Sequence, residues 1–300
     1  MIKLPFDIDN LIDDLRIFSW EANDILIRYC RMLRDPQMKS NIIGNINVND
    51  PVTIADLEVN QLIIRRINEK YKNMNWEILS EENAKLDPLN SDFNSDWLWI
   101  LDPLDGTKDF LQGTGDYAMH LALNYKNKPY LGIVLVPEKN ELWFSNGAEI
   151  WCEDRKRNHK RINISKKKSL RDMTIVTSKN HKNEVLNKLI NLIEFKENIV
   201  MGSVGCKITS ILRGESDIYI SLSLPGNSAP KDWDFAAPSA ILQAAGGSIT
   251  NLDNMEICFN QRDFELGGII IASSNKKFHG ELCHQIKEII QKYNIYPIDS

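Results

Sequence analysis

The chain has 300 residues, 43% of them hydrophobic, and 41 acidic side chains against 36 basic ones leave a net charge of −5. That is enough apolar material for one large domain or two joined lobes, and a poor electrostatic match to a nucleic acid. No run approaches the roughly 18 to 20 apolar residues of an integral membrane span, and Met1 to Asn10 lack the layout of a signal peptide, so a cytoplasmic protein is expected.

Leu11, Leu15, Phe18, Ala22, Ile25, Leu26 and Tyr29 recur at helical spacing, as do Val59, Leu62, Ile63, Ile67 and Tyr71, which predicts two amphipathic helices at the start. Strand-like runs follow at Trp97 to Leu101, Ala118 to Asn124 and Tyr130 to Val136, with Gly and Pro between them, in the manner of an antiparallel meander. Nine Lys/Arg then fall between Arg155 and Arg171, either a solvated connector or a positive rim that attracts a polyanionic substrate. Beyond them, apolar runs at Thr174 to Thr177, Ile218 to Ser221 and Gly268 to Ala272 alternate with helical patterns. These lie near Glu184 to Ile193, Gly205 to Leu212, Phe235 to Ala245 and Lys276 to about Tyr293. The pattern predicts an α+β lobe over 1–160 and an α/β lobe over 161–300.

Cys30, Cys152, Cys206, Cys258 and Cys283 form no Cys-x-x-Cys pair, and the five histidines show no paired spacing. Reduced thiols are expected, and carboxylates are left as the ligands of any metal, which points to a hard cation. The stretch Asp102-Pro103-Leu104-Asp105-Gly106-Thr107 directly follows an apolar run. Pro103 fixes the turn, Gly106 permits a backbone shape closed to other residues, and the two carboxylates can face one point. A divalent cation there would relieve their repulsion, although an isolated pair of this kind is equally a turn former. Ser80-Glu81-Glu82, after Trp76 to Leu79, and Trp233-Asp234, before a segment containing Pro238, offer further carboxylates at element boundaries.

Two other signals carry less. Gly113-Thr114-Gly115-Asp116-Tyr117-Ala118 fits a permissive dinucleotide fingerprint but precedes a strand where a helix is required. His120, in an alternating run, reads as a satisfied or surface histidine, and Trp97, Trp99 and Trp143 read as core.

Together, Trp99 to Thr107 and Trp233-Asp234-Phe235-Ala236-Ala237-Pro238 with Ala245-Gly246-Gly247 resemble the lithium-sensitive, metal-dependent phosphatase superfamily. That superfamily includes inositol monophosphatase, fructose-1,6-bisphosphatase and 3'(2'),5'-bisphosphate nucleotidase. Lys108-Asp109-Phe110, Tyr117 to Leu123 and Lys231-Asp232-Trp233-Asp234 look most like the nucleotidase branch. The resemblance implies an αβαβα layered sandwich and two or three Mg2+ ions. Its metal ligands would be Glu81, Asp102 as the bridge, Asp105, Asp234 and the Leu104 carbonyl, with Glu82 behind them. Such ions serve both ends of an in-line displacement at phosphorus.

The resemblance further implies that Thr107 orients the attacking water, with Asp56 as its acidic partner; Asp56 reads equally well as a helix cap. The amides of Gly106 and Thr107 would hold the transferring phosphoryl group. Gly202, Ser203 and Lys207 resemble the turn before a helix that contacts the nucleotide, and a helix N-terminus there could accept a second phosphate. The Ser203 to Lys207 spacing is one residue longer than in some relatives. Lys207 would bind that phosphate or pair with a neighbouring acid, and Lys231 is a further candidate. The expected substrate is a small phosphorylated nucleotide, 3'-phosphoadenosine 5'-phosphate, cleaved to AMP and phosphate in sulfate assimilation, by a monomer or homodimer. The alternatives are an inositol-phosphate or sugar-phosphate phosphatase, and a catalytically silent nucleotide-binding protein.

Overall fold

The structure is a computed structural model that describes residues 6–33, 43–47, 50–87, 93–179 and 183–297. Two helices, α1 (Ile8–Leu33) and α2 (Ile54–Lys70), flank a short hairpin of β1 (Ile43–Asn47) and β2 (Asp50–Thr53). The first large sheet contains β3 (Trp76–Ser80), β4 (Trp97–Asp105), β5 (Ala118–Tyr125), β6 (Lys128–Val136), β7 (Glu141–Ser145) and β8 (Ile150–Glu153), paired in that order. From β4 onward it is the expected antiparallel meander; β3 adds to β4 in parallel. Two short helices interrupt it, α3 (Glu81–Leu86) and α4 (Thr107–Gln112).

The second sheet is mixed, in the order β10 (Glu197–Met201), β9 (Thr174–Ser178), β11 (Ile218–Ser223), β13 (Gly268–Ser273), β12 (Ser248–Asn251). Its helices are α5 (Glu184–Ile193), α6 (Val204–Arg213), α7 (Asp232–Ala244) and α8 (Lys276–Tyr293).

Strand β4 shows why the layers stack as they do. It is buried on both faces, which is the reason its sequence reads as an unbroken apolar run. Trp99 and Leu101 face α1 and α2, packing with Leu11, Leu15, Val59 and Ile63. Leu98 and Ile100 face the other way, into a core shared with Ile208 and Ile211 of α6, Phe235 and Ile241 of α7, and Tyr219 and Ile270 of the second sheet. Helices α5 and α8 cover the far face of that sheet through Leu186, Leu189, Leu282 and Ile286. The result is the αβαβα layering expected from the sequence, with Trp97, Trp99 and Trp143 buried.

Several elements were not foreseen, among them the hairpin β1–β2 and the short strands β7, β8 and β12. Helices α3 and α4 are six residues each, too short for periodicity to register, and β10 is an edge strand with an exposed pattern. Gly113 ends α4 in a left-handed conformation ahead of β5, so the glycine fingerprint is a helix stop and a turn.

The basic segment behaves as a connector between the sheets. Arg155 pairs with Asp24 at 2.7 Å, Lys160 with Glu141 at 3.2 Å, Lys167 with Asp217 at 2.8 Å and Arg171 with Glu194 at 3.0 Å. Of the two readings, the connector is the one these pairs favour: they hold neighbouring elements, and no residue of the segment lines the cavity described below.

Close packing of α7 on β6 depends on Gly132, where a Cβ would lie 2.6 Å from the Ala240 Cβ and 2.7 Å from the Ala237 carbonyl oxygen. Overfilling such a contact costs about 1–3 kcal/mol. Gly132→Ala should lower unfolding free energy in urea by that amount, and an unchanged midpoint would show that α7 tolerates displacement.

Candidate metal centre and active site

The end of β4 turns sharply at Asp102-Pro103-Leu104-Asp105, where its register against β5 shifts. Gly106, at φ +90°, then opens α4, and a Cβ there would lie 2.8 Å from the Asp116 carbonyl oxygen. The turn aims Asp102 and Asp105 into one space, and the buried Asp102 carboxylate accepts from the Leu104 amide at 3.0 Å. Because β3 runs parallel to β4 with Ser80 opposite Leu101, Glu81 at the start of α3 arrives beside Asp102. Asp234 comes from the second half, in the first turn of α7, and is oriented by the Lys231 amide at 2.7 Å. Asp102, Asp105 and Asp234 each offer an oxygen within 4.8 Å of the others.

Burial is the main cause that pushes the Asp102 carboxyl well above its ordinary range, with the charges of Glu81, Asp105 and Asp234 adding to it. Asp234 is raised for the same reasons, burial first and then Asp105. Lys85 offsets part of this charge through ion pairs at 2.9 Å to Glu81 and 3.6 Å to Glu82. An oxygen-only donor set with this much like charge fits a hard divalent cation, which takes carboxylate and carbonyl ligands and removes the repulsion.

Thr107 and Asp56 stand next to this cluster. The Thr107 hydroxyl lies 3.3 Å from Asp56 Oδ1 and 3.1 Å from the Leu104 carbonyl oxygen, two acceptors for its one proton. Asp56 also closes a capping box at the start of α2, where its other oxygen accepts from the Thr53 amide at 2.9 Å and from the Thr53 hydroxyl. Both readings of Asp56 therefore hold at once: it caps a helix and faces Thr107. Burial raises its pKa to about 7, the Thr53 hydroxyl opposes this, and the charges of Glu81 and Glu82 reinforce it.

The segment at Gly202 differs from expectation. Ser203 caps α6, its hydroxyl accepting from the Cys206 amide at 3.2 Å. The free donors of that helix start are used by Asp105, whose Oδ2 accepts from the Ser203 hydroxyl at 2.7 Å, the Val204 amide at 2.5 Å and the Gly205 amide at 3.3 Å. The expectation of a phosphate at this helix N-terminus is corrected: an acid of the cluster occupies the place a phosphate would take. Gly202 is held by its amide, which donates to Asp116 Oδ2 at 3.3 Å.

Lys207 is buried, donates to the Ser203 carbonyl at 3.2 Å, and lies 5.2 Å from the centroid of the Tyr219 ring. Of the two readings open for it, pairing with an acid is not observed among the described residues. Lys231 is diverted, its Nζ bonding the Asp263 carbonyl and Glu265 Oε1, both at 3.0 Å. His120, expected to be a bystander, is fully buried against Asp105, with Nε2 3.4 Å from Oδ2. Its place opposite Asp102 in the β4–β5 ladder comes from the strand register, which the sequence alone does not display.

The acids and Thr107 line a cavity of about 900 Å³. Glu81, Asp102, Leu104, Asp105, Gly106, Thr107 and Asp234 line it, together with Lys179, Asn183, Leu186 and Leu222 to Leu224 from the second half of the chain. Lys207 contributes a cation to the lining.

Comparisons with known proteins identify the family and the fold. The sequence profile of the inositol monophosphatase family matches residues 15–291. A protein of Aggregatibacter actinomycetemcomitans named 3'(2'),5'-bisphosphate nucleotidase CysQ is 27% identical over 260 residues, 87% of this chain and 91% of that one. Among solved structures, the Thermotoga maritima IMPase superposes with a TM-score of 0.72 at 22% identity, covering 94% of this chain and 99% of that one. CysQ from Bacteroides thetaiotaomicron does so with a TM-score of 0.65 at 24% identity, covering 88% and 97%. With the profile spanning nearly the whole sequence and the folds superposing, the chain belongs to the inositol monophosphatase family.

Proposed function

We propose that this chain is a Mg2+-dependent phosphomonoesterase that hydrolyses the 3'-phosphate of 3'-phosphoadenosine 5'-phosphate to AMP and phosphate. The observation that carries the reaction class is the Thr107–Asp56 pair set beside a cluster of carboxylates that line a cavity. Glu81, Asp102, Asp105, Asp234 and the Leu104 carbonyl would hold the cations. When bound, Mg2+ supplies positive charge to the phosphoryl oxygens and makes water a better nucleophile at neutral pH.

The remaining work falls to the chain itself. Thr107 Oγ accepts a hydrogen bond from the attacking water while donating to Asp56, and Asp56 receives the proton that the water loses. The water oxygen bonds to phosphorus opposite the ester oxygen, whose bond breaks and which takes a proton from solvent. Gly106 and Thr107 present backbone amides to the phosphoryl group, and burial keeps competing water from the acids.

Two observations support a bisphosphorylated nucleoside. A space of about 900 Å³ exceeds what one phosphate needs and suits a ligand with a second anchoring point. Lys207, a buried cation facing that space, would bind the second phosphate, with Gly202 and Ser203 shaping the wall and Lys231 holding the rim. The relatives named CysQ carry the same activity in their names. On this reading the enzyme is lithium-sensitive, works in the cytoplasm as a monomer or homodimer, and clears a by-product of sulfate assimilation.

Phosphate release should be measured side by side on 3'-phosphoadenosine 5'-phosphate, inositol 1-phosphate and fructose 1,6-bisphosphate, with and without Mg2+. The adenosine bisphosphate should be the best substrate, by kcat/KM, and only with Mg2+; preference for either other ester would overturn the substrate assignment. Asp102→Asn should cut turnover by more than about 100-fold, beyond the usual effect of altering a group behind a metal's ligands. Thr107→Ala should lower kcat by roughly 10²–10⁴, the contribution of a positioned proton-transfer chain. Because the raised Asp56 must be ionised to act, kcat/KM should rise with pH through about 7 or somewhat below, since bound cations favour the carboxylate. Asp56→Asn should abolish that limb along with most activity, and a limb that persists in this variant would assign it to another group.

A further inference from the structure

His120 has no part in the reaction just described, yet its ring touches two of the elements that carry the acids. It stands on β5 directly opposite Asp102, on the face turned toward α6 and α7. Nδ1 lies 3.3 Å from the Trp233 carbonyl oxygen, an acceptor only, so Nδ1 carries the proton. Trp233 immediately precedes Asp234. On the opposite edge, Nε2 lies 3.4 Å from Asp105 Oδ2 and makes no hydrogen bond within the described structure. The space it fills exists because residue 205 is glycine; a Cβ there would overlap Nε2 and would lie 2.9 Å from Val134 Cγ1.

The same Asp105 oxygen is drawn toward α6 by three donors, from Ser203, Val204 and Gly205. The imidazole edge packs against that same oxygen, beside Gly205 of α6, and limits where it can sit. The other edge bonds the first turn of α7.

We infer that His120 is a positioning residue: wedged between Asp105 and the Trp233 carbonyl, it sets the separation between carboxylates delivered by the two halves of the chain, and so the fit of the site to Mg2+. This rests on the phosphatase reading above. Removing the ring leaves a void into which Asp105 or the start of α7 can move. Mg2+ demands near-octahedral ligands at fixed short distances, whereas Ca2+ accepts irregular ones. The ring therefore matters more for the smaller ion. Groups that orient metal ligands from behind typically change affinity by about 10- to 100-fold when lost.

Calorimetric titration of the metal-free protein with Mg2+ alone and with Ca2+ alone tests this without any substrate. His120→Ala should weaken Mg2+ binding by about tenfold or more, with a smaller loss for Ca2+. Val134→Ala, which opens the neighbouring core beside Gly205, should lower the melting temperature but leave Mg2+ affinity unchanged. His120→Asn, whose amide can donate to the Trp233 carbonyl from about the position of Nδ1, should recover part of the loss. Equal Mg2+ affinity in wild type and His120→Ala, or an equal loss in Val134→Ala, would overturn the inference. Wild-type protein that takes up no Mg2+ would overturn it together with the phosphatase reading. Mg2+ uptake as expected, without phosphate release from any ester, would sink that reading alone.

Discussion

Asp102, Asp105 and Asp234 bring like charge within 4.8 Å of one another, the first buried and the other two half-buried, an arrangement that folding would ordinarily disperse. Burying an unpaired carboxylate costs far more than an exposed ion pair returns, so the surroundings must either neutralise these groups or fix them against their repulsion. The chain does the second with main-chain and hydroxyl donors. Asp102 takes the Leu104 amide, Asp234 the Lys231 amide, and Asp105 the hydroxyl and amides at the start of α6. Neutralisation is left incomplete, with Lys85 the cation paired to Glu81 and Glu82. The remaining charge is what would make the site a receptor for a cation.

The layered fold follows from how these acids are delivered. Two parallel neighbours, β3 and β4, end side by side and present Glu81 and Asp102. Asp234 must then be brought down onto them by α7, which lies flat against the sheet where Gly132 lets it approach. Asp105 ties the turn after β4 to α6, so the corner that carries two acids is also a bond between the halves of the chain. Closing the site and closing the two halves are in this sense one event, and the large cavity lies where they meet.

Much of this was legible in the sequence, and the reason is local. Asp102 to Thr107 combines a proline, a glycine and two acids in six residues, and the apolar run before it could only be a buried strand. Glu81 and Asp234 stood at element boundaries in the same way. What could not be read were contacts across the halves. That Asp105 would use the donors at Ser203 to Gly205 depends on residues about a hundred positions apart. Lys231 sat beside Asp234 in sequence but turns to Glu265, because only its main chain faces the acid. His120 gave no signal of its own; its place opposite Asp102 follows from the register of a ladder that bulges before Asp105. The basic segment was ambiguous because charge pattern alone does not reveal partners such as Asp24, Glu141 and Asp217.

The central claim is that a cation completes a set of acids held together at a cost to the fold, and its most direct test is thermal stability of metal-free protein against pH. Asp56, Asp102 and Asp234 have folded-state pKa values above their ordinary ones, so the folded chain binds more protons than the unfolded chain above about pH 4, for Asp56 up to about 7. Stability from these groups is therefore present at low pH and lost as pH rises through that window. Without Mg2+, the melting temperature should fall between pH 5 and pH 8, and Mg2+ should raise it more at pH 8 than at pH 5. A melting temperature that Mg2+ leaves unchanged at pH 8 would contradict the account.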